Sequence, residues 1–307
     1  MATGTGARAR LGSDRVLVLG GAMLWGTTGT AQALGPAGAS PATVGAVRIA
    51  LGALALIALG LAGRRLGGLG GFVAPRLRLW TLGAVLGIAA YQVCFFAGVA
   101  RTGVAVGTVV AVGGAPVATG AIELALRGTR PERRWALSTA LAVGGCALLV
   151  GVGRDAQVDP LGVLLAVAAG GAYALYTVTS KTLMEAGHGP VQTMAVTFAA
   201  GTVLLAPVLI AGDIAWLGSG RGIAMALWLG VVTVAVGYSL FASGLSRLAA
   251  ATVATLTLVE PLAAALLAVV VLGERPGAVA VLGAGLVATG LVLLAVRPAA
   301  SRATAAL

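Results

Sequence analysis

Ten long apolar runs are the feature that most constrains what this chain can fold into. They lie at 16–34, 43–62, 79–99, 103–126, 136–152, 161–180, 191–211, 223–245, 249–272 and 277–296. Most have about the 20 residues that an α-helix needs to cross a bilayer. The runs lack the alternation of strands, and in lipid only helices or closed barrels satisfy the backbone. The sequence therefore predicts an all-α, polytopic membrane protein with ten transmembrane helices.

Composition agrees with a lipid environment. Of the 307 residues, 59% are hydrophobic and 9% are charged, whereas average soluble domains carry about 25% charged residues. The 48 glycines suit helices whose backbones approach closely in lipid. We interpret the pairs Gly83/Gly87 and Gly103/Gly107 as surfaces for helix packing.

The net charge of +11 predicts topology rather than nucleic-acid binding, because nearly all charges lie in short gaps between apolar runs. With both termini placed in the cytoplasm, fifteen basic residues fall inside and four outside, as the positive-inside rule requires. The inside group is Arg8, Arg10, Arg15, Arg64, Arg65, Arg76, Arg78, Arg127, Arg130, Arg133, Arg134, Lys181, Arg247, Arg297 and Arg302, and the outside group is Arg101, Arg154, Arg221 and Arg275. We expect a multi-pass protein of the cytoplasmic membrane with both termini cytoplasmic.

The N-terminal run could belong to a cleaved signal peptide. Basic residues precede it, and Ala31-Gln32-Ala33 resembles a signal-peptidase site. The run 16–34 is nevertheless long enough to span a bilayer. We expect a retained first helix.

The two halves of the chain resemble each other, which predicts a repeat at 1–155 and a second at 156–307. Pro116 and Pro261 are 145 residues apart. The further matches are Gly128/Gly273, Arg130/Arg275, Pro131/Pro276, Gly52/Gly201 and Arg101/Arg247. Because each half holds five spans, an odd number, the second half must be inverted in the membrane. Inverted repeats are a recurring design of secondary transporters.

Several short motifs resemble the EamA-like ten-helix exporters of the drug/metabolite transporter superfamily, in order along nearly the whole chain. They are Leu24-Trp25-Gly26, the segment VGAVRIALGALAL around Arg48, Asp159-Pro160-Leu161-Gly162, Glu260-Pro261 and Leu272-Gly273-Glu274-Arg275. The first half departs from the family pattern, with Ala115-Pro116 where Glu-Pro is frequent and Gly128-Thr129-Arg130 where Gly-Glu-Arg is frequent.

The resemblance implies a carrier of small metabolites, often amino acids or related compounds, usually moved outward. It implies no prosthetic group and no ATP hydrolysis, and the chain has no GxxxxGK[ST] loop. The implied partners are a small-molecule substrate and the lipid bilayer, with a coupled proton or an exchanged solute left open. Both a monomer and a homodimer fit.

Three ionisable side chains lie well inside the predicted spans: Arg48, Glu123 and Glu260. A charge at mid-membrane costs at least about 2.5–3.5 kcal/mol, so each needs a reason. For Glu123 we expect an ion pair with Arg127, one helical turn further on. Arg48 could pair with Glu260, bind a substrate carboxylate or reach toward the outer surface.

Glu260 precedes Pro261, and a proline inside a helix frees a backbone carbonyl one turn earlier. The dipeptide therefore predicts a bent or broken helix facing a cavity, with a structural hydrogen bond between helices as the alternative.

Aromatic and polar side chains within the spans form a second set: Trp25, Tyr91, Gln92, Tyr173, Tyr176 and Tyr238. Trp25, Tyr91 and Tyr173 lie at or near mid-span, away from the interfacial belts where such residues usually collect. Trp25 and Tyr173 are 148 residues apart, and Tyr91 and Tyr238 are 147 apart, as equivalent positions of two repeats would be. We expect substrate to bind in a central cavity lined by Trp25, Tyr91, Tyr173 and Glu260, with Arg48 near its outer side. Ordinary helix packing is the alternative.

The function that these patterns favour is secondary export of a small metabolite by alternating access. A membrane scaffold or partner subunit is the main alternative, and it leaves the intramembrane charges unexplained. A membrane-embedded enzyme fits less well, since no HExxH motif and no metal-ligand spacing occur. We expect the single histidine, His188, in a loop, and Cys94 and Cys146 as small buried apolar residues.

Overall fold

All regular secondary structure is helical in the residues that the computed structural model describes, which are 4–128, 132–150 and 159–295. Ten long helices follow one another along the chain. They are α1 Gly4–Ala33, α2 Pro41–Ala62, α3 Arg78–Gly103, α4 Val106–Arg127, α5 Arg133–Val150, α6 Pro160–Glu185, α7 Pro190–Ala211, α8 Gly220–Leu245, α9 Ala250–Leu272 and α10 Ala278–Ala295. Short 3₁₀ turns at Leu69–Val73 and Ala215–Gly218 lie in two of the connections.

Eight of these helices are long and apolar enough to cross a membrane. The other two, α1 and α5, are less apolar because α1 carries glycine, threonine and glutamine and α5 begins with two arginines. All ten predicted spans thus correspond to helices, and the largest difference is that α1 begins well before residue 16.

Contacts between helix ends show that successive helices alternate in direction. The arginine-rich face of the molecule holds the ends with Arg15, Arg127, Lys181 and Arg247. There Arg15 donates to the carbonyl of Ala295, while Arg127 pairs with Glu185 across 2.6 Å. At the opposite face Arg101 pairs with Asp159, and the Trp216 indole N–H donates to the Thr43 hydroxyl.

The first helix of each half begins at a different face, so the halves are inverted. The packing has the same symmetry. α1 packs against α8 and α9, and its counterpart α6 packs against α3 and α4. α2 pairs with its own counterpart α7, and α5 pairs with α10. A half-turn about an axis between the halves would reproduce this pattern.

Glycines set the closest approaches between helices. A Cβ built on Gly87 of α3 would lie 2.8 Å from the Ala172 carbonyl of α6, and one on Gly83 would lie 2.8 Å from the Thr179 methyl group. The Gly83/Gly87 pair is therefore a packing surface, as predicted. Gly103 is not, because an added Cβ there meets nothing within 4 Å. With φ of 79°, it forms the bend between α3 and α4, a conformation that glycine adopts without strain.

Equivalent residues also end the fourth helix of each half. Gly128 after α4 and Gly273 after α9 both adopt the left-handed conformation, with φ of 66° and 72°. This is the common glycine C-cap. The predicted matches at Arg130 and Pro131 lie outside the described residues, as do Arg154 and the predicted repeat boundary at 155. The boundary therefore remains a prediction.

The prediction for Glu123 was wrong. Its carboxylate accepts hydrogen bonds from the backbone N–H groups of Ala250 and Ala251, at 3.0 and 2.9 Å, and so caps the start of α9. Arg127 is paired with Glu185 of α6 instead. The free N–H groups of a helix N-terminus compete well for a carboxylate. This contact depends on tertiary structure, so the spacing of residues around Glu123 in the sequence does not predict it.

Candidate substrate cavity

A central cavity lies between the two halves. Its volume is about 520 Å³, which includes the space at its opening to solvent. Its lining comes from α1, α2, α3, α4, α6, α8 and α9. The lining residues are Trp25, Arg48, Tyr91, Ala111, Val112, Ala115, Tyr173, Thr233, Tyr238, Thr257 and Glu260. The structure thus brings together all five residues that the sequence placed in one cavity.

Two aromatic pairs cross from one half to the other. The ring of Trp25 in α1 lies 4.4 Å from that of Tyr238 in α8, between centroids. Tyr173 in α6 lies 5.8 Å from Tyr91 in α3. These pairs are the same contact made twice, since Trp25 corresponds to Tyr173 and Tyr238 corresponds to Tyr91 in the repeats. The aromatic part of the cavity lining therefore follows the pseudo-symmetry of the two halves.

Trp25 is fixed by an irregular stretch of α8. Residues Trp228–Val236 form a π-helix, a widening that often accompanies functional sites. Within it, the carbonyl of Thr233 accepts a hydrogen bond of 3.0 Å from the Trp25 indole N–H. Gly237 leaves room for the ring, because a Cβ there would lie 2.8 Å from the same indole nitrogen. The indole is thus oriented by backbone atoms of the other half.

Glu260 lies where α9 is interrupted. The helix stops at Leu256 and resumes at Val259, because Pro261 has no N–H to offer the carbonyl of Thr257. That carbonyl accepts instead from the N–H of Glu260, at 2.9 Å. The predicted break in this helix is confirmed.

α1 lies directly against this break. A Cβ on Gly26 would lie 2.7 Å from the carbonyl oxygen of Glu260. Trp25 therefore supplies an aromatic ring to the cavity lining, and Gly26 allows the close approach of α1 that places Glu260 beside that ring.

Arg48 reaches the cavity from α2, about 10 Å from the end of that helix at the opposite face, given 1.5 Å per residue. Its guanidinium donates to the amide oxygen of Gln92 at 3.3 Å, and its Nε is buried without a partner. Although Arg48 and Glu260 line one cavity, they form no salt bridge within 4.0 Å in the described chain. The buried hydroxyl of Tyr173 also has no hydrogen-bond partner.

The charges of the cavity break the symmetry. Glu260 of the second half corresponds to Ala115 of the first, 145 residues earlier, and both line the cavity. Arg48 of the first half corresponds to Thr197, 149 residues later. The only charged side chain that the first half contributes to the lining is therefore a cation, and the only one from the second half is a carboxylate.

Several residues of the cavity lining are not among the site residues predicted from the sequence. Ala111, Val112 and Ala115 carry no polar group, although the 145-residue offset from Glu260 points to Ala115. Thr257 could have been found because it lies three residues before Glu260. Thr233 has no such signal, since it is one of several threonines within apolar runs.

Ten helices in two inverted halves around a charged and aromatic cavity define a polytopic membrane protein of the transporter type. The chain belongs to the EamA-like transporter family, whose model matches residues 15–151 and again 160–296. The family is part of the drug/metabolite transporter superfamily.

The chain is similar to named transporters over most of its length. It is 38% identical to the "Uncharacterized transporter YwfM" of Bacillus subtilis, over 92% of this chain and 94% of that protein. It is 32% identical to the "Threonine/homoserine exporter RhtA" of Escherichia coli K12, over 84% and 83% of the two chains. A solved crystal structure superposes with a TM-score of 0.78 at 20% identity, covering 92% of this chain and 96% of the other, and shows the shared fold.

Proposed function

We propose that this protein is a secondary transporter that exports an amino acid or a related zwitterion across the cytoplasmic membrane by alternating access. The observation that carries the proposal is the split of charge in the cavity. Arg48 comes from one inverted half and Glu260 from the other, and no ion pair within 4.0 Å joins them. A substrate with a carboxylate and an ammonium group can bridge them.

Each end of such a substrate has a partner. The α-carboxylate would lie against Arg48, whose planar guanidinium suits a carboxylate. The α-ammonium would lie near Glu260 and the faces of the surrounding aromatic rings, which attract cations. The unpartnered hydroxyl of Tyr173 offers a hydrogen bond to a polar side chain. The similarity to a threonine/homoserine exporter supports the same substrate class.

A bridging substrate would also link binding to movement. Because its two ends would bind different halves, it could stabilise the intermediate in which the halves close around it. The energy source we propose is either a proton taken up by Glu260 or an exchanged solute. The positive-inside bias supports cytoplasmic termini. For the oligomeric state we propose a monomer or a homodimer.

Counterflow in proteoliposomes tests the substrate class. We expect labelled threonine or homoserine to exchange, whereas analogues lacking the carboxylate or lacking the ammonium compete at least tenfold less well. Arg48→Gln should weaken competition by zwitterions and leave a carboxylate-free amine unaffected. Arg221→Gln and Glu274→Gln, at exposed positions outside the cavity, are matched controls. Equal competition by all analogues would refute the zwitterion proposal.

A further inference from the structure

Two ion pairs join the halves at opposite faces of the molecule. At the arginine-rich face, Asp14 of α1 accepts from Arg247, in the connection between α8 and α9, at 2.9 Å. At the opposite face, Asp159 at the start of α6 accepts from Arg101, near the bend between α3 and α4, at 3.1 Å. Each pair therefore links the first helix of one half to the third–fourth helix connection of the other.

The two pairs join corresponding parts of the two halves, although their carboxylates lie one helical turn apart in the repeat alignment. Asp14 and Asp159 are 145 residues apart, and Arg101 and Arg247 are 146 apart. The spacing of the two arginines matches that of Tyr91 and Tyr238 to within one residue. In α1 and α6 the offset is 148, as for Trp25 and Tyr173, so Asp14 aligns with Gly162 and Asp159 lies three residues before that position. None of the four charged residues lines the cavity. A contact that occurs once at each face, and always between halves, has the arrangement required of a gate.

We propose that Asp14–Arg247 and Asp159–Arg101 are the two gates of the transport cycle, each closing the central cavity at one face. The inference rests on the proposed alternating access and adds the residues that perform it. When the halves rock to open the opposite face, Arg101 separates from Asp159 while Asp14 stays paired with Arg247. Rocking the other way exchanges the two roles.

The gates differ in strength because their surroundings differ. The side chain of Asp14 is only 3% exposed, although its partner Arg247 is 64% exposed, whereas those of Arg101 and Asp159 are 49% and 33% exposed. A buried carboxylate that loses its partner is costly, whereas an exposed ion pair is weak. Arg101 lowers the pKa of the Asp159 carboxyl below its ordinary value, so this pair is ionised at neutral pH.

Further contacts between the halves strengthen the arginine-rich face. Glu123 of the first half caps α9 of the second, and Arg127 of the first half pairs with Glu185 of the second. Neither has an ionised equivalent at the opposite face, because the positions 145 residues later are Ala268 and Leu272. The gate at the opposite face should therefore open first in the absence of substrate.

Accessibility of a reporter cysteine tests the gates without relying on transport. Cys94 and Cys146 are replaced by alanine, and Ala115→Cys places one thiol in the cavity. A membrane-impermeant methanethiosulfonate is then added to right-side-out or inside-out vesicles. We expect Asp14→Asn to raise the labelling rate at least fivefold from the arginine-rich face only, and Asp159→Asn to do so from the opposite face only.

Charge exchange distinguishes a gate from a general loss of structure. Asp14→Arg combined with Arg247→Asp should restore slow labelling, and Arg221→Gln should leave labelling unchanged from both faces. Labelling that rises from both faces, or from neither, in both single variants would overturn the gates. If labelling changes as expected but the wild-type protein exchanges no amino acid, the gates stand and the proposed substrate class fails.

Discussion

The indole ring of Trp25 lies 4.4 Å from the phenol ring of Tyr238, and the two rings belong to different halves of the molecule. Their equivalents, Tyr173 and Tyr91, meet in the same way at 5.8 Å. The cavity wall is thus made of contacts that must rearrange whenever the halves move relative to each other. In the proposed transport cycle, these aromatic contacts would therefore both line the substrate site and rearrange as the halves move.

Tyr173→Phe is expected to weaken substrate binding without changing protein abundance. The Tyr173 hydroxyl is buried in the cavity wall, with the Thr257 hydroxyl as its polar neighbour, so its removal should cost the folded protein little. A hydrogen bond to substrate contributes about 0.5–1.5 kcal/mol, which is a change in KM of roughly two- to twelvefold. The neighbouring Tyr176→Phe is the control, because that hydroxyl bonds to the Met194 sulfur outside the cavity lining. An unchanged KM for Tyr173→Phe would place the substrate elsewhere.

Gly26→Ala should destabilise the protein, because its new Cβ would lie 2.7 Å from the backbone oxygen of Glu260. Backbone atoms cannot move aside cheaply, and overpacking of this kind costs about 1–3 kcal/mol. Thermal unfolding in detergent measures the loss. Gly29→Ala on the same helix is the matched control, since nothing lies within 4 Å of its added Cβ. Equal melting temperatures for the two variants would contradict the packing described for α1 and α9.

Much of the fold follows from local features of the sequence. The long apolar runs predict the ten helices, and the odd number of spans in each half predicts inversion. Glu260-Pro261 predicts the interrupted helix because proline acts on its own backbone, whatever the tertiary context.

The cavity could be predicted in part because pseudo-symmetry acts as a weak distance restraint. Trp25 and Tyr173 recur at equivalent positions, and a site between inverted halves brings equivalent positions together. Contacts that depend on the relative placement of distant helices could not be predicted. Glu123 is the clearest case, since its partners in α9 are 127 and 128 residues away.

Membrane orientation can be tested independently of transport. Reporter fusions at residues 70 and 131 should both be cytoplasmic, giving fluorescent green fluorescent protein and inactive alkaline phosphatase. The physical reason is the concentration of arginine at this face, which resists translocation. A fusion at residue 218, between α7 and α8, is expected to show the reverse pattern. Active phosphatase at residue 70 or 131 would refute the proposed topology.

Glu260→Gln separates a proton-carrying carboxyl from a structural one. In the described part of the chain the Glu260 side chain makes no hydrogen bond or salt bridge, so glutamine should leave abundance and melting temperature unchanged. Glutamine has the shape of the protonated acid but cannot release a proton. If Glu260 carries the coupled proton, the variant should lose the pH dependence of transport and retain exchange of substrate, with a higher KM because the ammonium group loses its charged partner.

The matched control is Glu274→Gln, which removes the same charge from an exposed position between α9 and α10. Transport rates are measured in proteoliposomes across a series of imposed pH gradients. A Glu260→Gln variant with an unchanged pH profile would show that Glu260 carries no proton, and exchange of two solutes or uniport would then remain. An unchanged KM as well would show that Glu260 does not bind the ammonium group. A variant that fails to accumulate in the membrane would instead show that the carboxylate stabilises the packing of the interrupted helix α9.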